Sequence, residues 1–250
     1  MKLAVVKLGG SVITRKGKPF DVDFGITEAL GRALKRALAE SCIDRLVVVH
    51  GGGSFGHYVV SEHGGLRTVD AFIQTVFFMR ELNQTVVEIL CLVGIPAVGV
   101  DTHAIALSLE RGKELELGVV EELVARGVVP VMYGDAVLDS SGGYRVLSGD
   151  DISWEVASAM RASKLVFVTT VPGVYVGGRV AKLVSISRDL DRIDRVGSRY
   201  VDVTGGMHAK LAKGRGRVHS IGDVYVIGSQ PKLLYEALCS EPSVGTRVVE

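Results

Sequence analysis

The sequence predicts an α/β fold with a central, mostly parallel sheet. Two observations carry that expectation. Short apolar runs rich in β-branched residues, as in strands buried on both faces, alternate with longer stretches that are apolar at helical spacing. Several of these runs end in glycine turns, as strands do where a parallel sheet offers its C-terminal ends to a ligand. The 250 residues, 47% of them hydrophobic, suffice for one large domain or two small ones.

The elements follow in order. Leu3 to Lys7 reads as the first strand and runs into Gly9, Gly10 and Ser11, then a basic loop, Thr14-Arg15-Lys16-Gly17-Lys18. Asp23 is placed to cap a helix reaching about residue 41, with Phe24, Ile26, Leu30, Ala33, Leu34, Ala37 and Leu38 on one face. Residues 46–49 form a second strand, followed by His50-Gly51-Gly52-Gly53-Ser54-Phe55-Gly56-His57. Residues 68–93 are mainly helical, with an apolar excess from Phe72 through Val76 to Met79. Residues 95–100 read as a strand with Pro96 at its start, 117–126 as a short helix, and 128–133 as a buried strand ending in Gly134-Asp135. A hairpin is expected over 136–147. Ser148-Gly149-Asp150-Asp151 opens a helix to about residue 162; one aspartate of the pair caps it and the other is left over. A strand at 165–169 gives a turn at 169–175, and 177–200 is polar enough for a surface excursion. Glycines at 205 and 206 lead into a helix carrying Lys210. A strand at 223–227, a helix at 231–239 and an edge strand at 245–249 complete the chain.

Composition narrows the function. Lys plus Arg number 29 against 28 Asp plus Glu, so nothing global favours nucleic acid or an anionic membrane, and any anion site is local. The three cysteines, Cys42, Cys91 and Cys239, show no metal or redox spacing and read as small core residues in a reduced, cytoplasmic setting. No apolar run is long enough for a membrane span, and the N-terminal run is too short for a signal peptide. A single asparagine and three glutamines hint at a hot habitat.

The chemistry lies in the glycine turns. Three successive glycines let backbone N–H groups approach a bulky anion, and His57 adds a donor. Taken alone, the stretch reads equally well as a plain turn before a surface histidine. Gly51, Gly53 and Gly56 also fit a dinucleotide-binding pattern, but that reading needs a second strand closing in an acid about 20 residues on, where the chain reads as helix. No P-loop motif and no nucleophile elbow occur. Glycine turns with lysines at 7, 16 and 210 suit phosphoryl transfer, in which the protein positions the reactants and stabilises charge.

Lys7-Leu8-Gly9-Gly10-Ser11, the glycine stretch ending Gly-Ser-Phe-Gly-His, Ser148-Gly149-Asp150-Asp151 and Asp202-Val203-Thr204-Gly205-Gly206-Met207 occur in the order found in the amino acid kinase superfamily. Over essentially the whole chain the sequence resembles the archaeal-type isopentenyl phosphate kinases of that superfamily; fosfomycin kinases share the Gly-Ser-Phe-Gly-His ending. The resemblance implies a three-layer α/β/α sandwich in one domain over 1–250, with a substrate half to about 150 and a nucleotide half beyond. It implies transfer of a phosphoryl group from ATP to isopentenyl phosphate, within the alternative mevalonate route of isoprenoid synthesis. Magnesium is then carried on the phosphates with no protein cage, and the enzyme is a homodimer. It places Lys7, Leu8, Gly9, Gly10, Ser11, Gly53, Thr169, Thr170, Gly205, Gly206 and Lys210 at ATP. Lys16 falls at the transferred group, and Gly52, His57 and Gly149 at the substrate phosphate. Phe72, Val76 and Met79 would face the isoprenoid chain, and Asp150 would orient Lys7 and Lys210. Thr169 to Gly173 departs from the family's Thr-Asp-Val-Asp-Gly by lacking two acids, and Arg15 stands where an acid is common.

Overall fold

A computed structural model describes residues 1–15, 17–109, 112–194 and 206–250, with residues 57, 60, 61, 108, 109 and 112–114 described for the backbone alone. The elements run β1 (Leu3–Leu8), α1 (Gly10–Ile13), α2 (Phe24–Ala39), β2 (Arg45–His50), α3 (Gly53–Glu62), α4 (Val69–Leu92), β3 (Ala97–Gly99) and α5 (Thr102–Ile105). There follow β4 (Ala106–Leu109), β5 (Gly112–Leu115), α6 (Gly118–Ala125), β6 (Val129–Tyr133), β7 (Asp135–Asp139), β8 (Tyr144–Leu147), α7 (Gly149–Ala159) and β9 (Lys164–Thr169). The remainder is β10 (Tyr175–Val176), β11 (Arg179–Val180), β12 (Leu183–Ser185), α8 (Ile186–Asp189), α9 (Gly206–Ala212), β13 (Asp223–Gly228), α10 (Pro231–Cys239) and β14 (Thr246–Val249).

An eight-stranded sheet in the order β12-β14-β13-β9-β1-β2-β6-β3 forms the middle layer. All its neighbours pair parallel except β13 with β14. Every residue of β1 is buried, and successive side chains point to opposite faces. Ala4, Val6 and Leu8 therefore join Leu30, Leu34, Leu82 and Leu234 of α2, α4 and α10 in one core. Leu3 and Val5 join Val120, Trp154 and Leu211 of α6, α7 and α9 in the other. Lys7 shares the register of Leu3 and Val5, so β1 aims it at the α7 side.

Three expectations are corrected, those for the edge strand, for the cysteines and for Phe24, which is exposed and off the buried face of α2, and a stretch that carried no expectation also forms strands. The last strand is interior: β14 lies between β13 and β12, and the edge is β12, from the stretch read as a surface excursion. Val184, fully buried, anchors β12, but three residues among charged neighbours carry no readable period. Residues 106–115 form β4 and β5, which complete a four-stranded side sheet with the expected hairpin, now β7 and β8. Finally, the cysteines are not all reduced. Cys42, just before β2, and Cys239, closing α10, form a disulfide with Cα atoms 4.6 Å apart, while Cys91 is free and exposed. The partners are 197 residues apart, a pairing that spacing alone does not reveal. Among the described residues no helix is long and apolar enough to cross a membrane.

Candidate active site

The parallel strands end together, and their glycine turns pack backbone against backbone. Gly9 N–H donates to Val168 O (3.0 Å), Gly51 N–H to Leu8 O (3.1 Å) and Gly134 N–H to His50 O (3.0 Å). No side chain fits between these turns. A Cβ on Gly10 would stand 2.2 Å from Gly53 N, and one on Gly149 would stand 2.8 Å from His50 O. Gly53 has φ +50°, and a Cβ there would lie 2.1 Å from Thr14 Oγ1. Thr14 fastens the two turns: its hydroxyl donates to Gly10 O (2.8 Å) and accepts from Ser54 N–H (2.9 Å). Ser54 Oγ is buried in this turn with no hydrogen-bond partner.

Behind the turns sits a buried cluster of three charges. Ser148 caps α7, and Asp151 closes the capping box and pairs with Lys213 (2.8 Å). Asp150, the other member of the pair, turns inward. Its Oδ1 lies 3.0 Å from Lys7 Nζ and 2.5 Å from Lys210 Nζ. Burial opposes ionisation of Asp150, but the two ammonium groups outweigh it and hold the carboxyl well below the usual range. Burial lowers Lys210 to about 8, against the pull of Asp150 and with help from the charge on Lys7. Lys210 is fixed further by Trp154, whose indole N–H donates to its carbonyl oxygen (2.8 Å), and its ammonium lies 5.1 Å from the centre of the Phe167 ring. Two cations on one anion leave a buried surplus of positive charge. Such a surplus is stable only beside further negative charge or water.

The expected site residues that the structure describes lie on the turns and helices around the strand ends and along α4. Leu8, Gly9, Gly10 and Ser11 lead from β1 into α1, and Gly52 and Gly53 open α3. Thr169 closes β9 beside Gly9, its hydroxyl 2.8 Å from Val171 O and 3.1 Å from Ile227 O, and Thr170 is exposed. Gly206 starts α9 one turn before Lys210. Met79 is buried against the glycine turn, its Sδ 3.2 and 3.1 Å from where Cβ atoms on Gly52 and Gly56 would stand. Val76 and Phe72 continue the same helical line, and Phe72 stacks on Tyr144 of β8 at 4.6 Å. The line from residue 79 to 72 spans about 10 Å at 1.5 Å per residue. Lys16 and Gly205 lie outside the described residues, as does the side chain of His57. Arg15 turns to Asp23 and Asp21, 3.4 and 3.8 Å away. The dinucleotide reading finds no strand after the glycine stretch, since α3 and α4 follow it directly.

Sequence reasoning missed two parts of the site. Thr14 carries no signal beyond its place near a basic loop. His50 and Asn83 are the other. His50, fully buried at the end of β2, lies with Nδ1 3.1 Å from Gly51 O and Nε2 3.2 Å from Asn83 Nδ2. Asn83 is a polar residue on the buried face of α4 among Met79, Leu82 and Val86, and that misfit was readable.

Residues 2–223 match the profile of the Amino acid kinase family. The chain is 30% identical to the isopentenyl phosphate kinase of Methanocaldococcus jannaschii, over 96% of each chain. It is 37% identical to the isopentenyl phosphate kinase of Haloferax volcanii, over 85% of this chain and 87% of that one. A solved isopentenyl phosphate kinase structure superposes with a TM-score of 0.81 at 26% identity, over 98% of this chain and 99% of the other.

Proposed function

The chain belongs to the amino acid kinase family, and from that premise we propose that it transfers the γ-phosphoryl group of ATP to isopentenyl phosphate, yielding isopentenyl diphosphate and ADP. The observation that carries the reading is the buried Lys7–Asp150–Lys210 cluster, with its surplus positive charge, behind glycine turns too tight for any side chain.

The acceptor is a phosphate, so no base is needed to activate it. An oxygen of isopentenyl phosphate attacks the γ-phosphorus in line, the bond to the β-phosphate oxygen breaks, and ADP leaves with that electron pair. The residues position the reactants and spread charge. Gly10 and Ser11 offer N–H groups to the ATP phosphates from the turn that Gly9 N–H ties to Val168 O, with Lys7 on one side and Gly206 and Lys210 on the other. Asp150 bridges the two ammonium groups, offsets their mutual repulsion and keeps them aimed at the phosphates; it takes no proton. Lys16 meets the transferred group. Gly52, His57 and Gly149 take the acceptor phosphate, and Gly53 faces ATP. The apolar line Met79–Val76–Phe72 leads away from the glycine turn and suits a five-carbon isoprenoid chain, where a small polar acid such as fosfomycin finds little to bind. In this scheme the part to about residue 150 holds the acceptor and the remainder holds the nucleotide.

Among the described residues no group of three or more His, Cys, Asp or Glu is placed to hold a metal ion. Magnesium in this reading comes with ATP, on its phosphates, and neutralises their charge. A homodimer is part of the same proposal. Val69, Ile73 and Phe77 form an exposed apolar line on α4, the kind of stripe a second copy covers. So is the cytoplasm, where a disulfide fits a heat-loving source.

The test is ADP release in the presence of isopentenyl phosphate by the wild-type chain and by Lys16→Ala, His57→Ala and Lys210→Ala. Wild-type release depends on the acceptor, and each substitution lowers kcat about 100-fold or more, the scale of removing one charge-stabilising donor. A wild-type chain that releases no ADP with isopentenyl phosphate overturns the function. Full activity in both Lys16→Ala and His57→Ala overturns the residue roles.

A further inference from the structure

We propose that His50 and Asn83 are positioning residues that aim the Gly52 amide at the acceptor phosphate. The inference rests on the reading of Gly52 as part of the acceptor-phosphate site.

A carbonyl oxygen only accepts, so the contact of His50 Nδ1 with Gly51 O (3.1 Å) puts the ring proton on Nδ1. Nε2 is then the acceptor, and Asn83 Nδ2 supplies its donor at 3.2 Å. The orientation of the Asn83 amide is fixed independently, because Nδ2 also donates to Val131 O at 3.1 Å. Asn83 has room because residue 99 is glycine; a Cβ there would stand 2.4 Å from Asn83 Oδ1. The His50 ring stacks on Tyr133 at 5.6 Å, and its own carbonyl accepts from Gly134 N–H. Ring, tautomer and backbone are all held.

The consequence falls on the next peptide. Gly51 C=O and Gly52 N–H belong to one peptide unit, which is trans, so they point in opposite directions. A carbonyl pinned to the buried His50 ring turns the Gly52 N–H outward, to the open side of the turn. That amide has no acceptor among the described residues. Burial keeps the imidazole neutral by lowering it to about 4, so the ring gives one fixed donor and no charge at working pH. A leucine at position 50 would fill the space and leave the glycine peptide free to rotate.

The experiment compares His50→Leu, His50→Asn and Asn83→Leu by steady-state kinetics and by calorimetric titration with inorganic phosphate. Losing an aimed donor to a charged group costs about 10-fold or more in affinity. His50→Leu therefore raises the KM for isopentenyl phosphate by that factor and weakens phosphate binding alike, with the KM for ATP changed less than about twofold. His50→Asn, whose side-chain amide N–H reaches the same carbonyl, restores most of the loss. Asn83→Leu, which frees the ring, raises the acceptor KM and spares that for ATP. Equal loss in His50→Leu and His50→Asn overturns the proposal, as does a rise in both KM values together. If His50→Leu does not fold, Asn83→Leu decides, and unchanged constants there overturn the proposal. A failure of the substrate reading looks different: wild type then shows no turnover with isopentenyl phosphate, while the phosphate titrations still rank the variants.

Discussion

Replacing Asp150 with asparagine keeps the shape of the cluster and removes its one negative charge. In the native chain that carboxylate is buried 3.0 Å from Lys7 Nζ and 2.5 Å from Lys210 Nζ. Asp150→Asn leaves two ammonium groups facing each other in a site that water barely reaches. Removing one partner of a buried ion pair costs about 3–5 kcal/mol. For a chain of this size each kcal/mol moves the melting midpoint by about 2–4 °C, so the variant melts about 6–20 °C lower. The polyphosphate of ATP supplies the missing anion, and by linkage a ligand stabilises most the state it binds best. ATP therefore raises the midpoint of Asp150→Asn by more than it raises that of wild type. Thermal denaturation with and without ATP reads both quantities. A variant that melts within about 2 °C of wild type, or that gains no more from ATP than wild type does, refutes the charge argument.

Two further expectations follow from the same structure. Lys210 loses its proton as pH rises through about 8, so kcat/KM for ATP declines above that pH; Lys210→Arg, whose charge persists, abolishes the decline in whatever activity remains. A profile flat to well above pH 8 contradicts the assignment. The Cys42–Cys239 disulfide closes a loop across 197 residues of sequence, worth about 5 kcal/mol in the chain-entropy model. Cys42→Ser then melts about 10–20 °C lower, while kcat at moderate temperature is kept, since the bond lies at the strand ends opposite Lys7. Calorimetry with and without reductant checks this, and an unchanged midpoint argues against the bond.

What the sequence disclosed depended on length and period. β1, β2, β6, β9 and β13 were legible because runs of four or more consecutive apolar residues bounded by glycine or polar residues admit few other readings. The helices α2, α4, α7 and α10 were legible from their apolar faces and starts. β4, β5, β10, β11 and β12 were not, because two to four residues are too few to show an alternation. The turns were visible as glycines, but that they meet at one place follows only from the parallel register of β1, β2 and β9. The aspartate pair at 150 and 151 announced one cap and one spare carboxylate. Which was which came from the capping box, which Asp151 occupies. The disulfide and the His50–Asn83 contact join residues 197 and 33 apart in sequence, and no local pattern encodes such pairs.

The most direct test of the account is the fate of the labelled γ-phosphate of ATP, offered warm to isopentenyl phosphate, dimethylallyl phosphate, fosfomycin or no acceptor. Label is expected in isopentenyl diphosphate, with kcat/KM for the isoprenoid phosphates far above that for fosfomycin. Label that stays in ATP with both isoprenoid phosphates, or that passes preferentially to fosfomycin, contradicts it.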